Sequence, residues 1–150
     1  EETAKIARSV TFGYGIPNTV PGPMHPDSMV PYLYYADPIE GVDPYGQRVE
    51  PGVYVNITKA MPRKTRALKT HASQRDWLMK HHGMDQYVQS MQDWASKRGE
   101  EVGVKYAEAF RQHKGHPYPH ECILTKELGS LVKATTPSPR LAAPRREALV

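Results

Sequence analysis

The chain has 150 residues, enough for one domain, with an apolar fraction of 39% and 14 prolines, a composition a little polar for a compact globule. No run approaches the roughly 18 consecutive apolar residues that a membrane span needs, and the single cysteine, Cys122, excludes an internal disulfide and suits a reducing compartment. The formal charge of +4 is concentrated in residues 133–150, where Lys133, Arg140, Arg145 and Arg146 stand against Glu147 alone. The pI near 9.2 is therefore largely a property of the tail, and no nucleic-acid partner is expected from it. The opening EETAKIARSV has neither an initiator Met nor a signal-peptide pattern. It reads as the start of a piece of something longer, whose location stays open with a slight lean to the cytoplasm.

Residues 1–14 read as a helix, because Ile6, Val10 and Tyr14 recur every four positions. Residues 13–31 are Gly- and Pro-rich and read as a loop. The aromatic run 32–36 predicts a strand, 37–52 a turn-rich acidic loop, and the alternation of Val53, Val55 and Ile57 a second strand. Thr58 is placed to cap a helix running to about Met79, with Pro62 in its first turn. A further helix over 85–98 carries Tyr87, Met91, Trp94 and Ala95 on one face, and Gly99 is its expected stop. In 101–111, Val102, Val104, Tyr106, Glu108 and Phe110 alternate with Gly103, Lys105, Ala107, Ala109 and Arg111, which favours extended structure. Residues 112–120 read as a loop and 121–131 as a short helix with Ile123, Leu124, Leu128 and Leu131 inward. From Lys133 the chain is Pro-, Ala- and Arg-rich without periodicity and reads as a disordered tail. Three strands mixed with helices indicate an α/β layer fold over residues 1–132, followed by the tail, 133–150.

Four groups of residues could carry chemistry. On a 3.6-residue period Lys64, Leu68, His71, Gln74 and Leu78 share a stripe, so a polar cluster lines a site or is satisfied by structural hydrogen bonds. Glu108 shares a face with Val104, Tyr106 and Phe110. It is either a desolvated acid or base, or one half of a salt bridge to Arg111 or to the basic 59–80 helix. That helix carries Lys59, Arg63, Lys64, Arg66, Lys69, Arg75 and Lys80 against Asp76 alone, and reads as a solvated outer face that the acidic 37–50 loop could neutralise. His25-Pro26-Asp27, His81-His82, His113, His116 and His120 spell metal-binding residues. The last three lack helical i, i+4 geometry and any cysteine framework, and read as a solvated loop. Asn56-Ile57-Thr58 matches a glycosylation sequon inside an expected strand, a chance match.

NITKAMPRKTRALKTHASQ, with Lys64, Ala67, Leu68, His71, Ser73 and Gln74, resembles the D-[IV]-T…K…A-L…H-x-S-Q segment of zinc-dependent N-acetylglucosamine deacetylases of the PIG-L/LmbE type. RGEEVGVKYAEAFRQHKGHPYP is similar to the RG…G…YAEAFR segment of bacterial members, and the opening helix, loop and aromatic strand look like theirs. The likeness runs in order over about residues 2–131. It implies a Rossmann-like three-layer α/β fold. It also implies removal of an N-acetyl group from an N-acetylglucosamine-containing glycoconjugate or glycoside by a water activated on Zn²⁺. The zinc ligands and the base of that family lie in an HPDD-like motif and an HxDH-like motif, both expected upstream of Glu1. The chain is therefore expected to be the C-terminal part of such an enzyme, lacking its first strands, its metal ligands and its activity. His71, Gln74 and Glu108 remain as residues of the substrate cleft, and no catalytic or metal residue is carried over. His25-Pro26-Asp27 resembles the metal motif in spelling only, since it precedes a strand instead of following one. A sheet edge left open by missing strands is an association hazard and leaves room for a homo-oligomer. Two alternatives are a non-catalytic binding or interaction module of the same descent, and a self-contained hydrolase using His25, Asp27 and a histidine of 113–120.

Overall fold

The computed structural model describes residues 2–14, 16, 30–71, 76–80 and 87–134. The elements follow the order α1 (Glu2–Gly13), β1 (Tyr34–Ala36), β2 (Val53–Asn56), α2 (Met61–Lys69), α3 (Tyr87–Glu100), β3 (Ala107–Gln112), α4 (Ile123–Leu128) and β4 (Val132–Ala134). The four strands make one sheet in the order β1-β3-β2-β4, and every pairing in it is antiparallel. The fold is thus mixed helix and strand. The helix and strand order expected from the sequence recurs, with one strand added.

Consecutive strand residues point to opposite faces, and the core divides accordingly. Tyr54, which pairs with Ala109, forms a buried cluster with Ala107 and Ala109, and Val102 and Val104 pack against it. Val55 belongs to the other cluster, where Ile57, Met61 and Ala95 are buried among Met91 and Tyr106. The β3 positions that are buried are thus the two alanines, and Glu108 and Phe110 are only half-buried. Small side chains at Ala107 and Ala109 let neighbouring elements come close, so hydrophobicity is a poor guide to burial along this strand.

Several boundaries move for identifiable reasons. Thr58 does not cap α2: Asn56 Oδ1 accepts from its backbone N–H at 3.0 Å, and its own Oγ1 accepts from the Tyr106 N–H at 3.2 Å. Thr58 thereby ties the start of α2 to β3. Pro62 lies in the first turn of α2, where a missing N–H costs nothing. The helix ends at Lys69, with Thr70 Oγ1 donating to the Ala67 carbonyl at 2.7 Å; residues 76–80 are helical again. Gly99 does not stop α3. It is buried inside the last turn, and the chain folds back so closely that a Cβ there would lie 2.5 Å from the Val104 carbonyl oxygen. Leu128 and Leu131, expected inward, are 38% and 42% exposed, whereas Ile123 and Leu124 are half-buried. The folded unit also runs past residue 132, for Lys133 pairs with Tyr54 and Ala134 with Val53.

Helix α1 buries none of its residues, and Ile6 and Val10 are each 63% exposed. Its link to the rest of the chain includes a bond from the hydroxyl of buried Tyr118 to the Arg8 carbonyl at 3.1 Å. No helix among the described residues is long and apolar enough to cross a membrane.

Candidate functional site

Of the residues singled out in the sequence, Lys64 and Glu108 meet. Lys64 is on α2 and Glu108 on β3, and Lys64 Nζ donates to Glu108 Oε1 at 2.6 Å, with the two side chains 36% and 37% exposed. This is the ion-pair reading of Glu108, with Lys64 of the basic helix as the partner. His71 lies beyond the end of α2 and is exposed, its N–H bonded to the Leu68 carbonyl at 3.2 Å. The helical stripe on which it was aligned with Lys64 is broken after Leu68. Gln74 lies outside the described residues, as do His25, Pro26, Asp27, His81 and His82.

The acidic loop does not neutralise α2. Asp37 and Glu50 pair with Arg98 and Arg48, and Asp43 accepts from the N–H groups of Tyr45 and Gln47. Among the described residues no group of three or more His, Cys, Asp or Glu could hold a metal ion. His113 is instead engaged with a tyrosine: the Tyr35 hydroxyl lies 2.8 Å from its Nδ1. A zinc ion therefore finds no ligand set in the described part of this chain.

The densest polar cluster is one that the sequence reading missed. Arg98, 2% exposed, projects from α3 and grips Asp37 with Nε at 2.6 Å and Nη2 at 2.9 Å. Its Nη1 donates to both carboxylate oxygens of Glu101, at 2.8 and 2.9 Å. The Tyr54 hydroxyl donates to Glu101 at 2.6 Å, and the Trp94 indole N–H to Asp37 at 3.0 Å. The Trp94 ring also stacks on the guanidinium, 4.7 Å from its central carbon. Gly41, at φ +68°, makes room: a Cβ there would lie 2.8 Å from Trp94 and 2.9 Å from Arg98 Nη2.

Burial by itself would lower the Arg98 pKa, but the bonds to Asp37 and Glu101 outweigh it and raise it. Burial likewise opposes ionisation of Glu101, yet the Tyr54 and Arg98 bonds hold its carboxyl below the ordinary range. Burial and then the Glu101 bond push the Tyr54 hydroxyl well above the usual tyrosine value, so it stays protonated. Each nitrogen of the guanidinium bonds a carboxylate, four of its five N–H groups being engaged, which makes this cluster an anchor between α3, the 37–50 loop and β2. The only local sequence signal for it was the i, i+3 spacing of Arg98 and Glu101.

A smaller cluster joins β1 to α4. The Tyr34 hydroxyl accepts from the Ile123 N–H at 3.1 Å and donates to Cys122 Sγ at 3.6 Å. Burial first, then the Cys122 contact, push it up to about 12.

The Lys64–Glu108 pair is half in water, so its coupling is expected to be below about 1 kcal/mol. A double-mutant cycle on Lys64→Ala and Glu108→Ala by urea denaturation measures it. A coupling above about 2 kcal/mol would show a far drier site than the exposures indicate.

Comparison of the chain with family profiles, curated proteins and solved structures gives no match.

Proposed function

We propose that the chain is the C-terminal part of a zinc-dependent deacetylase acting on N-acetylglucosamine-containing glycoconjugates or glycosides. In this reading the parent supplies the zinc ligands and the base that activates water. The observation that supports it most is the Lys64–Glu108 bond at 2.6 Å. Lys64 lies in the first resembling segment and Glu108 in the second, and these segments are joined in space across the α2–β3 contact. A chance likeness of two short stretches gives no reason for them to meet. The antiparallel sheet then continues a larger Rossmann-like layer whose parallel strands and crossover helices belong to the parent. In this reading His71, Gln74 and Glu108 border the substrate cleft, with Lys64 held by Glu108 beside it.

A second reading is a non-catalytic interaction module. In it the Arg98 cluster, which ties α3 to the 37–50 loop and β2, serves as a structural anchor.

The test measures acetate release from a panel of N-acetylglucosaminides. The parent reading frame, expressed with zinc, should release acetate, and a chelator should abolish the release. The 150-residue chain alone should release none. A parent that binds no zinc and releases no acetate would overturn the reading in favour of the module. Zinc-dependent hydrolysis by the chain alone would overturn the placement of the ligands outside it.

A further inference from the structure

We propose that a cleft beside the β1–β3 pair binds a small organic oxyanion, a phosphorylated or carboxylated molecule of about monosaccharide size. The proposal is independent of the deacetylase reading. The cleft encloses about 370 Å³, near the lower end of the roughly 300–1,000 Å³ typical of ligand pockets.

Its donors come from one patch of the sheet. The register sets Tyr35 opposite Arg111, and strand alternation brings His113 to the same side. The His113 imidazole is held from two directions: its Nδ1 meets the Tyr35 hydroxyl at 2.8 Å, and its ring packs on Tyr118 with centroids 4.1 Å apart. The direction of that bond follows the imidazole tautomer; where the Tyr35 hydroxyl donates to Nδ1, Nε2 carries the ring N–H and is a donor. Gly115 keeps that nitrogen approachable, since a Cβ at this position would come within 3.0 Å of Nε2.

The electrostatics of the cleft are one-sided. Arg111 and Lys114 line it; both are exposed, and neither has a carboxylate partner among the described residues. The one acidic residue in the lining is Asp37, and both of its oxygens are occupied by Arg98 and Trp94. Arg111 and Lys114, with no carboxylate partner among the described residues, therefore line a cleft whose one acidic side chain is already bonded. Charge-assisted bonds from such a set favour phosphate or carboxylate oxygens. Tyr35, on the same face as Arg111, offers apolar ring surface for the body of the ligand, which is why an organic anion suits the cleft better than a bare ion.

The experiment titrates the isotope-labelled chain with glucose 6-phosphate, glucuronate, inorganic phosphate and neutral glucose at physiological ionic strength, following the His113 ring signals. Saturable shifts with glucose 6-phosphate, glucuronate or both are expected, and the tighter of the two identifies the headgroup. Glucose should give none, and inorganic phosphate should bind more weakly than the sugar phosphate. Arg111→Gln and Lys114→Gln should each weaken binding about tenfold or more. Both side chains are exposed and have no ion-pair partner among the described residues, so the fold should survive and the amide spectrum will report it. Gly115→Ala should also weaken binding. The proposal fails if no anion moves the His113 signals. It also fails if binding persists in the Arg111→Gln, Lys114→Gln double variant, which would put the anion elsewhere, for instance on α2. Inorganic phosphate binding as tightly as the sugar phosphate would remove the organic body from it.

Discussion

Arg98→Met is expected to destabilise the chain by about 3–5 kcal/mol, the range for removing one partner of a buried ion pair. Methionine keeps the length of the side chain and discards its charge and donors. Asp37, whose side chain is 8% exposed, is then left beside an apolar group with only the Trp94 N–H to bond. Against a typical total of about 5–15 kcal/mol for a domain, this loss is large. The core makes it larger still in proportion, because three of the nine buried apolar residues among those described are alanines and contribute little area. Arg98→Lys should fall in between, since an ammonium keeps the charge but cannot form the two-pronged bond to Asp37.

The same cluster sets an acid limit. The Glu101 carboxyl is held below its ordinary value in the folded chain, whereas unfolded it titrates near about 4.3. A depressed carboxyl contributes stability that is fully present above the unfolded value and is lost as pH falls through the folded one. Stability should therefore decline below about pH 4, and less steeply in Arg98→Met. Urea midpoints at pH 7 and across pH 3–5 check both statements. A change below about 1 kcal/mol at pH 7 would mean that the cluster is open to water.

Gly99→Ala is expected to destabilise by about 1–3 kcal/mol, the usual range for overpacking. Helix propensity alone predicts the opposite sign, because alanine is favoured over glycine in a helix by about 1 kcal/mol. Geometry decides between them. The added methyl would lie 2.5 Å from the Val104 carbonyl oxygen and 2.8 Å from the carbonyl atoms of Lys105. These are backbone atoms, so no side-chain rotation relieves the clash, and the 101–105 turn must move. That turn leads directly into β3, the strand that joins β1 to β2. Gly103→Asn serves as a control. Gly103 has φ +71° with nothing within 4 Å of a built Cβ, and asparagine tolerates that conformation. Thermal melts of the two variants should diverge, and a stabilised Gly99→Ala would refute the close approach.

Periodicity located the elements but not what they touch. Ile6 and Val10 marked α1 as a helix, Val53 and Val55 marked β2, and the alternation through Phe110 marked β3. Each of these signals is local. β4 was missed because Val132-Lys133-Ala134 is too short to show a period and leads straight into a Pro- and Ala-rich run. The end of α2 was missed because the apolar and polar spacing continues past Lys69, while the capping by Thr70 depends on geometry. Gly99 looked like a stop because a glycine late in a helix usually is one, and only the returning 101–105 backbone reveals its packing role.

The Arg98 cluster was illegible for another reason. Asp37 and Arg98 are 61 positions apart, and nothing in the composition around Asp37-Pro38 distinguishes it from an ordinary turn. Glu108 was legible as a carboxylate in need of a partner, and the basic helix was named as one source, but which lysine answers it depends on how α2 lies across β3.

The strand order has a consequence in time. No two neighbouring strands are joined by a hairpin. β1 waits for β3, β2 waits for β3 and then β4, and α2 and α3 lie in sequence between β2 and β3. Among the described strands the first two find their mates only once β3 and β4 have been made, so this sheet closes late in synthesis. Folding should be slow for a chain of this size, in the millisecond-to-second range of non-local topologies. Tyr34-Tyr35-Ala36 and Val53-Tyr54-Val55 are then the segments most open to intermolecular pairing on the ribosome.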